Sequence, residues 1–283
     1  MTDMSGRICL VTGATRGIGR ATAEALAKSG AHVLLHGRDS ASVGAVCREM
    51  IRYGQVTGVV GDLGSLAAVR KLASDIAAQY PRLDVLVNNA GTGARRRQTT
   101  VDGYERTFAI NHLAPFLLTN LLLERLKASK AARVVTVSSM AHRNVTLDFD
   151  DLSFDKRKYG GLRAYGESKL ANILFTLELA SRLAGSNVTA NCLHPGVVAT
   201  NIFAAFFGGR TGKIFSVLFR PFMLSPANGA KTSVYLASSP EVANVTGKFF
   251  DKSREVPPAP AAQDAAAAKR LWEISAKLTS LSA

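Results

Sequence analysis

Short β-branched runs alternate with longer helical patterns along the whole chain. Arg7–Thr12, His32–His36, Val56–Val60, Val85–Val87, Arg133–Val137, Val188–Leu193 and Lys248–Phe250 read as strands. Between them, apolar positions recur at helical spacing. Gly17–Ser29 is one such helix, with Ala21, Ala25 and Leu26 inward, and another follows Ser40. Leu66–Gln79 is a third, and a long helical stretch covers Tyr104–Lys127. A further helix runs to about Leu183, with Leu170, Ile173, Leu174 and Leu177 as its apolar stripe. Strands that are apolar throughout, separated by helices, predict an α/β fold: a doubly wound parallel sheet with helices on both faces. Such sheets bind ligands at the carboxyl ends of their strands.

Composition narrows the class. With 283 residues, 47% of them hydrophobic, the chain fits one large domain. The only low-complexity stretch is PPAPAAQDAAAA at 257–268, a short extended connector and the start of a helix. Three cysteines, Cys9, Cys47 and Cys192, lie far apart without CxxC or Cys/His spacing. They read as small buried residues of a reducing compartment, with neither a disulfide framework nor a metal site. The start, MTDMSGRICLVTG, has no charged region followed by a long apolar run, which predicts a cytoplasmic protein. The net charge of +14 allows nucleic-acid or anionic-membrane attraction, and also suits a phosphate-bearing cofactor. Only Arg95-Arg96-Arg97 clusters, and no nucleic-acid-binding motif accompanies it, so nucleic acid is not expected as a partner.

The first strand runs into TGATRGIGR, where Gly13, Gly17 and Gly19 occupy a strand-to-helix turn. Glycines there permit the tight turn and let the backbone approach a pyrophosphate at a helix N-terminus. The spacing is TGxxxGxG rather than GxGxxG, within a Rossmann-type arrangement of strand, turn and helix. An acidic residue ending the second strand would bind the ribose of NAD. Here that strand ends His36-Gly37-Arg38, and Arg16 lies in the glycine loop. Two guanidiniums suit a 2′-phosphate, so NADP(H) is favoured over NAD(H). Asp39 or Ser40 reads as the cap of the next helix.

Tyr165 and Lys169, in AYGESKLAN, stand four apart and share one helix face. A cation beside a phenol favours phenolate. Lowering a tyrosine pKa by about 3 units needs about 4 kcal/mol, at roughly 1.36 kcal/mol per unit. One ammonium does not supply that at a wet surface, so a second positive charge is required, and an oxidised nicotinamide would be one.

TGATRGIG, NNAG at 88–91, Asn111, Ser139, Tyr165/Lys169 and Pro195-Gly196 follow the order of the short-chain dehydrogenase/reductase family, which the chain resembles over essentially its whole length. ARVVTVSSMAH, YGESKLANILF, LHPGVV and KRLWEIS look most like its retinol dehydrogenase branch and bacterial relatives. The resemblance implies that Tyr165 exchanges a proton with the substrate oxygen. Lys169 would lower the tyrosine pKa and hold the nicotinamide ribose, and Ser139 would hydrogen-bond the carbonyl. Asn111 would hold a water linking Lys169 to solvent. Gly13, Thr15, Arg16, Gly17, Ile18, Gly19 and Arg38 would hold the cofactor. So would Asp62 and Leu63 at the adenine, and Asn88, Asn89, Ala90 and Gly91 along the cleft. Pro195, Gly196, Val198 and Thr200 resemble the segment that fixes the nicotinamide amide. Each also has a structural reading. Ser139 could end a strand by bonding the backbone, Asn111 could tie down a kink before Pro115, Asn88-Asn89 could close a turn, and Asp62 could cap a helix.

The expected organisation is one domain over 1–283: a cofactor-binding core at 5–195, a helical substrate lid at 196–230 and a C-terminal helix at 262–281. Between Thr200 and Ala227 the chain is unusually aromatic, with Ile202, Phe203, Phe206, Phe207, Phe215, Leu218, Phe219 and Phe222. Such a lid suits a lipophilic carbonyl. A dimer contact or a peripheral membrane contact are the competing readings. Arg210, Lys213, Arg220 and Gly208-Gly209 argue against a membrane span at Ile202–Leu224. The expectation is an NADP(H)-dependent oxidoreductase interconverting a lipophilic aldehyde or ketone with its alcohol. A cofactor-binding sensor or scaffold is the alternative, and family analogy suggests a homo-oligomer.

Overall fold

The computed structural model of the protein describes residues 2–198 and 224–281. These build an eight-stranded sheet in the order β3-β2-β1-β4-β5-β6-β7-β8. The strands are β1 Ile8–Val11, β2 His32–Gly37, β3 Val56–Val60, β4 Val85–Asn88, β5 Ala132–Val137, β6 Val188–His194, β7 Phe249–Asp251 and β8 Arg254–Glu255. Neighbours from β3 across to β7 pair in parallel, and β8 returns antiparallel on β7. The sheet is Rossmann-like. Its order reverses between β1 and β4, and the crevice at that reversal is where doubly wound sheets bind their ligands.

Strand alternation assigns the two faces. Leu10, Leu34, Leu86 and Val134 point to one side, under helices α3 (Leu66–Gln79), α5 (Ala114–Leu121) and α7 (Gly161–Arg182). Cys9, Val11, Val33, Leu35, Val85, Val87 and Val135 point to the other, under α1 (Gly17–Lys28), α2 (Ser40–Met50) and α8 (Pro226–Ser238). Helix α9 (Ala265–Leu278) packs on the outer side of α7 through Ala268 and Leu271.

Several elements depart from the pattern reading. In α1 the buried positions are Gly19, Thr22, Ala23, Leu26 and Ala27, while Ala21 and Ala25 are half-buried. Thr22 can turn inward because its hydroxyl bonds the Ile18 carbonyl at 2.9 Å. Leu177 is half-exposed, whereas α7 is buried all round from Gly166 to Thr176. Cys47 is only partly covered. The stretch expected as one helix over Tyr104–Lys127 is broken into α4 (Arg106–Phe108), a π-turn at Ala109–Leu113, α5, and α6 (Leu123–Lys127). Pro115 brings no N–H to the carbonyl four residues back, Asn111, and the turn opens to an i→i+5 bond from Ala114 N–H to Ala109 O.

Candidate active site

The glycine loop leaves β1 and is strapped to its neighbours at the sheet reversal. Thr12, 2% exposed, donates from Oγ1 to Val87 O (3.2 Å) and accepts the amides of Asn89 (2.9 Å) and Ala90 (3.0 Å). Asn89 Nδ2 returns to Thr12 O at 2.8 Å. His36 fastens the loop to β2 and β3: Gly13 N–H donates to Nδ1 (3.2 Å), so Nε2 carries the hydrogen and donates to Gly61 O (3.0 Å). Burial holds this imidazole below its usual pKa, which keeps it neutral. Sequence reasoning missed Thr12 and His36 as organisers of the loop, because both read simply as strand residues.

The loop has room only for glycine at two points. Gly13 has φ +63°, and a Cβ there would lie 2.9 Å from Ala90 Cα. A Cβ on Gly19 would run into the Gly13 carbonyl and Asn89 Nδ2. Helix α1 begins at Arg16 with no side-chain cap and no acidic residue in its first turn. Its leading N–H groups therefore fit a diphosphate, which would supply both the acceptors and the negative charge. Thr15 packs on Gly37, where a Cβ would approach Thr15 Cγ2 to 2.6 Å, so exposed Arg16 and Arg38 flank one contact. Asp39 is the cap of α2, accepting Ser42 N–H at 2.8 Å. Exposed Asp62 folds back on Gly64 N–H (2.9 Å), with Leu63 buried beside it, and Ser65 rather than Asp62 caps α3.

A second group of residues gathers at the end of β5. Lys169, 2% exposed, donates from Nζ to Val137 O at 2.9 Å. Ser138 Oγ donates to Lys169 O at 2.7 Å, holding α7 against the strand. The Lys169 ammonium stands 5.5 Å from the centroid of the Tyr165 ring. Burial pulls Lys169 down to about 8. Burial likewise pushes Tyr165 up to about 12, against the pull of the Ser139 side chain hydrogen-bonded to it. In the chain by itself, burial thus outweighs the Ser139 hydrogen bond, and the lowering expected for Tyr165 is left to the second positive charge that an oxidised nicotinamide would bring. Ser139 also does what its structural reading foresaw: it caps the 3-10 turn Met140–Asn144, its Oγ accepting Ala141 N–H at 3.2 Å.

The two groups meet at Gly91, where a Cβ would lie 3.5 Å from both Asn111 Oδ1 and Lys169 Nζ. Asn111 is fully buried on the π-turn. Its amide donates to Thr92 O (2.9 Å) and Ser168 Oγ (2.9 Å), and its Oδ1 accepts Thr92 N–H (2.7 Å). Asn88 turns away from this point and donates to Thr119 at 3.0 Å.

On the far side, Ile18 and Val198 both pack on Gly229 of α8. Pro195 and Gly196 line a cleft of about 370 Å³ with His194, Asn228 and Lys231. Leu224 N–H bonds Val197 O at 2.8 Å, so the chain returns beside Val198. Thr200 and the aromatic positions from Ile202 to Phe222 lie outside the described residues. The triple arginine splits: Arg97 donates to Ser153 O (2.8 Å) and pairs with Asp155, while Arg95 and Arg96 are exposed. Among the described residues no helix is long and apolar enough to cross a membrane.

A nucleotide-type glycine loop at the sheet reversal, with a serine, a tyrosine and a buried lysine two strands away, defines a dinucleotide-dependent oxidoreductase. The model of the short chain dehydrogenase family matches residues 7–209, and the chain belongs to that family. Among its relatives, retinol dehydrogenase 13 of Homo sapiens is 44% identical over 98% of this chain and 86% of its own length. The crystal structure of an uncharacterised protein from Mycobacterium paratuberculosis superposes with a TM-score of 0.82, at 37% identity, over 99% of this chain and 96% of that one. A Pseudomonas aeruginosa RhlG/NADP active-site complex superposes at 0.70, with 29% identity, over 88% and 95%.

Proposed function

We propose that this oxidoreductase uses NADP(H) to interconvert a lipophilic aldehyde or ketone and its alcohol, with Tyr165 as the proton donor and acceptor. The observation that carries the reading is the meeting of Ser139, Tyr165 and Lys169 beside Gly91 and the glycine loop. When bound, the nicotinamide supplies or takes the hydride and, oxidised, adds a positive charge that favours the phenolate.

A hydride reaching a carbonyl carbon leaves negative charge on oxygen. Ser139 Oγ accepts Ala141 N–H and is hydrogen-bonded to Tyr165; with substrate bound, its hydrogen would turn to that oxygen. Tyr165, held protonated at neutral pH by burial, gives the proton that completes the alcohol. Lys169, with its pKa near 8, keeps most of its charge at pH 7 and returns a proton toward Tyr165. Asn111 would hold the water through which Lys169 reaches solvent. Arg16 and Arg38 support NADP(H), since β2 ends in His36-Gly37 and the Asp39 carboxylate is engaged in its cap. The lipophilic substrate rests on the likeness to a retinol dehydrogenase and on the aromatic segment after Thr200.

The test is NADPH oxidation against a carbonyl panel that includes decanal, retinal and acetophenone, with wild type and Tyr165→Phe. Loss of the phenol should cost on the order of 10²–10⁴-fold in kcat. Equal turnover of one substrate by both proteins would refute the assigned mechanism.

A further inference from the structure

His142 lies three residues after Ser139, is fully buried, and has no part in the chemistry described above. Its Nδ1 is 2.6 Å from the Ser139 carbonyl oxygen. A carbonyl only accepts, so Nδ1 carries the hydrogen. Its Nε2 accepts the Ala259 N–H at 3.1 Å. Both ring nitrogens are thereby used, in one neutral tautomer. The ring is also fixed edge-to-face on Phe249 of β7, 5.1 Å between centroids.

A second imidazole acts on the same peptide unit. Met140 N–H, the other polar group of the Ser139–Met140 peptide, donates to Nδ1 of His194 at 3.4 Å. The peptide plane after Ser139 is therefore held at its oxygen by His142 and at its nitrogen by His194. That plane sets the Ser139 backbone torsion, and with it where Cβ and Oγ point. A displaced hydroxyl loses most of its worth, since a shift of about 1 Å in a reacting group costs on the order of 10²-fold.

Resting on the reading of Ser139 given above, we propose that His142 is a positioning residue for the Ser139 hydroxyl. Through Ala259 it makes the segment preceding α9 part of the support of the active site, 120 residues away along the chain.

Three substitutions separate this role from simple packing. His142→Phe keeps a ring of similar size on Phe249 and loses both hydrogen bonds. His142→Gln keeps a donor and an acceptor. Ala259→Pro changes no side chain around Ser139: Ala259 has φ −60°, which proline adopts, and only the N–H is lost. Steady-state reduction of decanal and retinal by NADPH at saturating substrate is measured for each, in the native chain and in Ser139→Ala, together with NADPH Kd and Tm.

His142→Phe and Ala259→Pro should lower kcat by about 10-fold or more with NADPH Kd unchanged, and His142→Gln should recover most of the loss. In Ser139→Ala neither should cause a further fall. Nitrogen-15 spectra of the histidines should show His142 as the Nδ1–H tautomer, with Nε2 perturbed in Ala259→Pro; the opposite tautomer overturns the proposal. Full kcat in both variants overturns it too, as does an equal loss persisting in Ser139→Ala. Should His142→Phe fail to fold, Ala259→Pro decides alone. An unchanged kcat in Ser139→Ala itself overturns the reading of Ser139 and this inference with it. Impaired Ser139→Ala beside unimpaired His142→Phe overturns this inference alone.

Discussion

Thr12→Val removes a single oxygen at the sheet reversal and keeps the side-chain shape. That oxygen is the acceptor for Ala90 N–H (3.0 Å) and one of two acceptors for Asn89 N–H, which also reaches Val87 O at 2.9 Å. The substitution therefore orphans one amide completely and leaves the other a partner. A buried unpaired amide costs about 1–3 kcal/mol. The methyl that replaces the hydroxyl returns less than about 0.8 kcal/mol. With the middle of that range, about 2 kcal/mol, set against a return of at most about 0.8, the net loss is about 1–2 kcal/mol, a sizeable share of the roughly 5–15 kcal/mol by which domains are stable. The assay is urea unfolding, with the midpoint lowered and the slope unchanged. The same strap sets the Asn89–Gly91 backbone, so NADPH binding should weaken in parallel. Thr12→Ser keeps the oxygen and should lie close to wild type. A Thr12→Val midpoint within about 0.5 kcal/mol of wild type, or a Thr12→Ser protein equally impaired, would refute the accounting.

Gly19→Ala forces a Cβ against the Gly13 carbonyl and Asn89, so the loop must move. It should cost about 1–3 kcal/mol in stability and weaken NADPH far more than it weakens the fold, as read by fluorescence titration. Arg38→Ala should raise the NADPH Kd while leaving NADH binding nearly unchanged; an equal effect on both would remove Arg38 from the 2′-phosphate. Lys169 falls from 10.5 to about 8, so between pH 8 and 10 the unfolded chain holds a proton that the folded chain has released. Stability contributed by this residue therefore rises with pH across that window, by on the order of 2 kcal/mol. Tyr165, raised from 10.0 to about 12, gives the opposite slope only above pH 10. Urea midpoints at pH 8 and 10 should rise less in Lys169→Met than in wild type; a larger rise in the variant would reverse the sign and refute the assignment.

The fold was legible because its signal is local. Strand alternation at Cys9/Leu10/Val11 and Val33/Leu34/Leu35 resolves into the two sheet faces, and turn glycines announce the loop between β1 and α1. The pairing of Tyr165 with Lys169 was legible for the same reason, since the two need only the helix period to share a face. What pattern missed involves particular side-chain hydrogen bonds. The inward turn of Thr22 depends on a hydroxyl that bonds its own helix; the kink before Pro115 was read at Asn111, but not the bonds to Thr92 and Ser168 that fix it.

The sequence by itself determined the parallel sheet, the glycine turn and which residue types stand at the strand ends, because these follow from hydrophobic period and backbone freedom. Only the tertiary structure decided that Thr12 ties two loops together, that His36 is a strap, and that Gly91 brings Asn111 to Lys169. It also decided the balance at Tyr165. Proximity to a cation is written in the i, i+4 spacing, but the desolvation that raises the tyrosine pKa arises only when α7 is packed between the sheet and its neighbours.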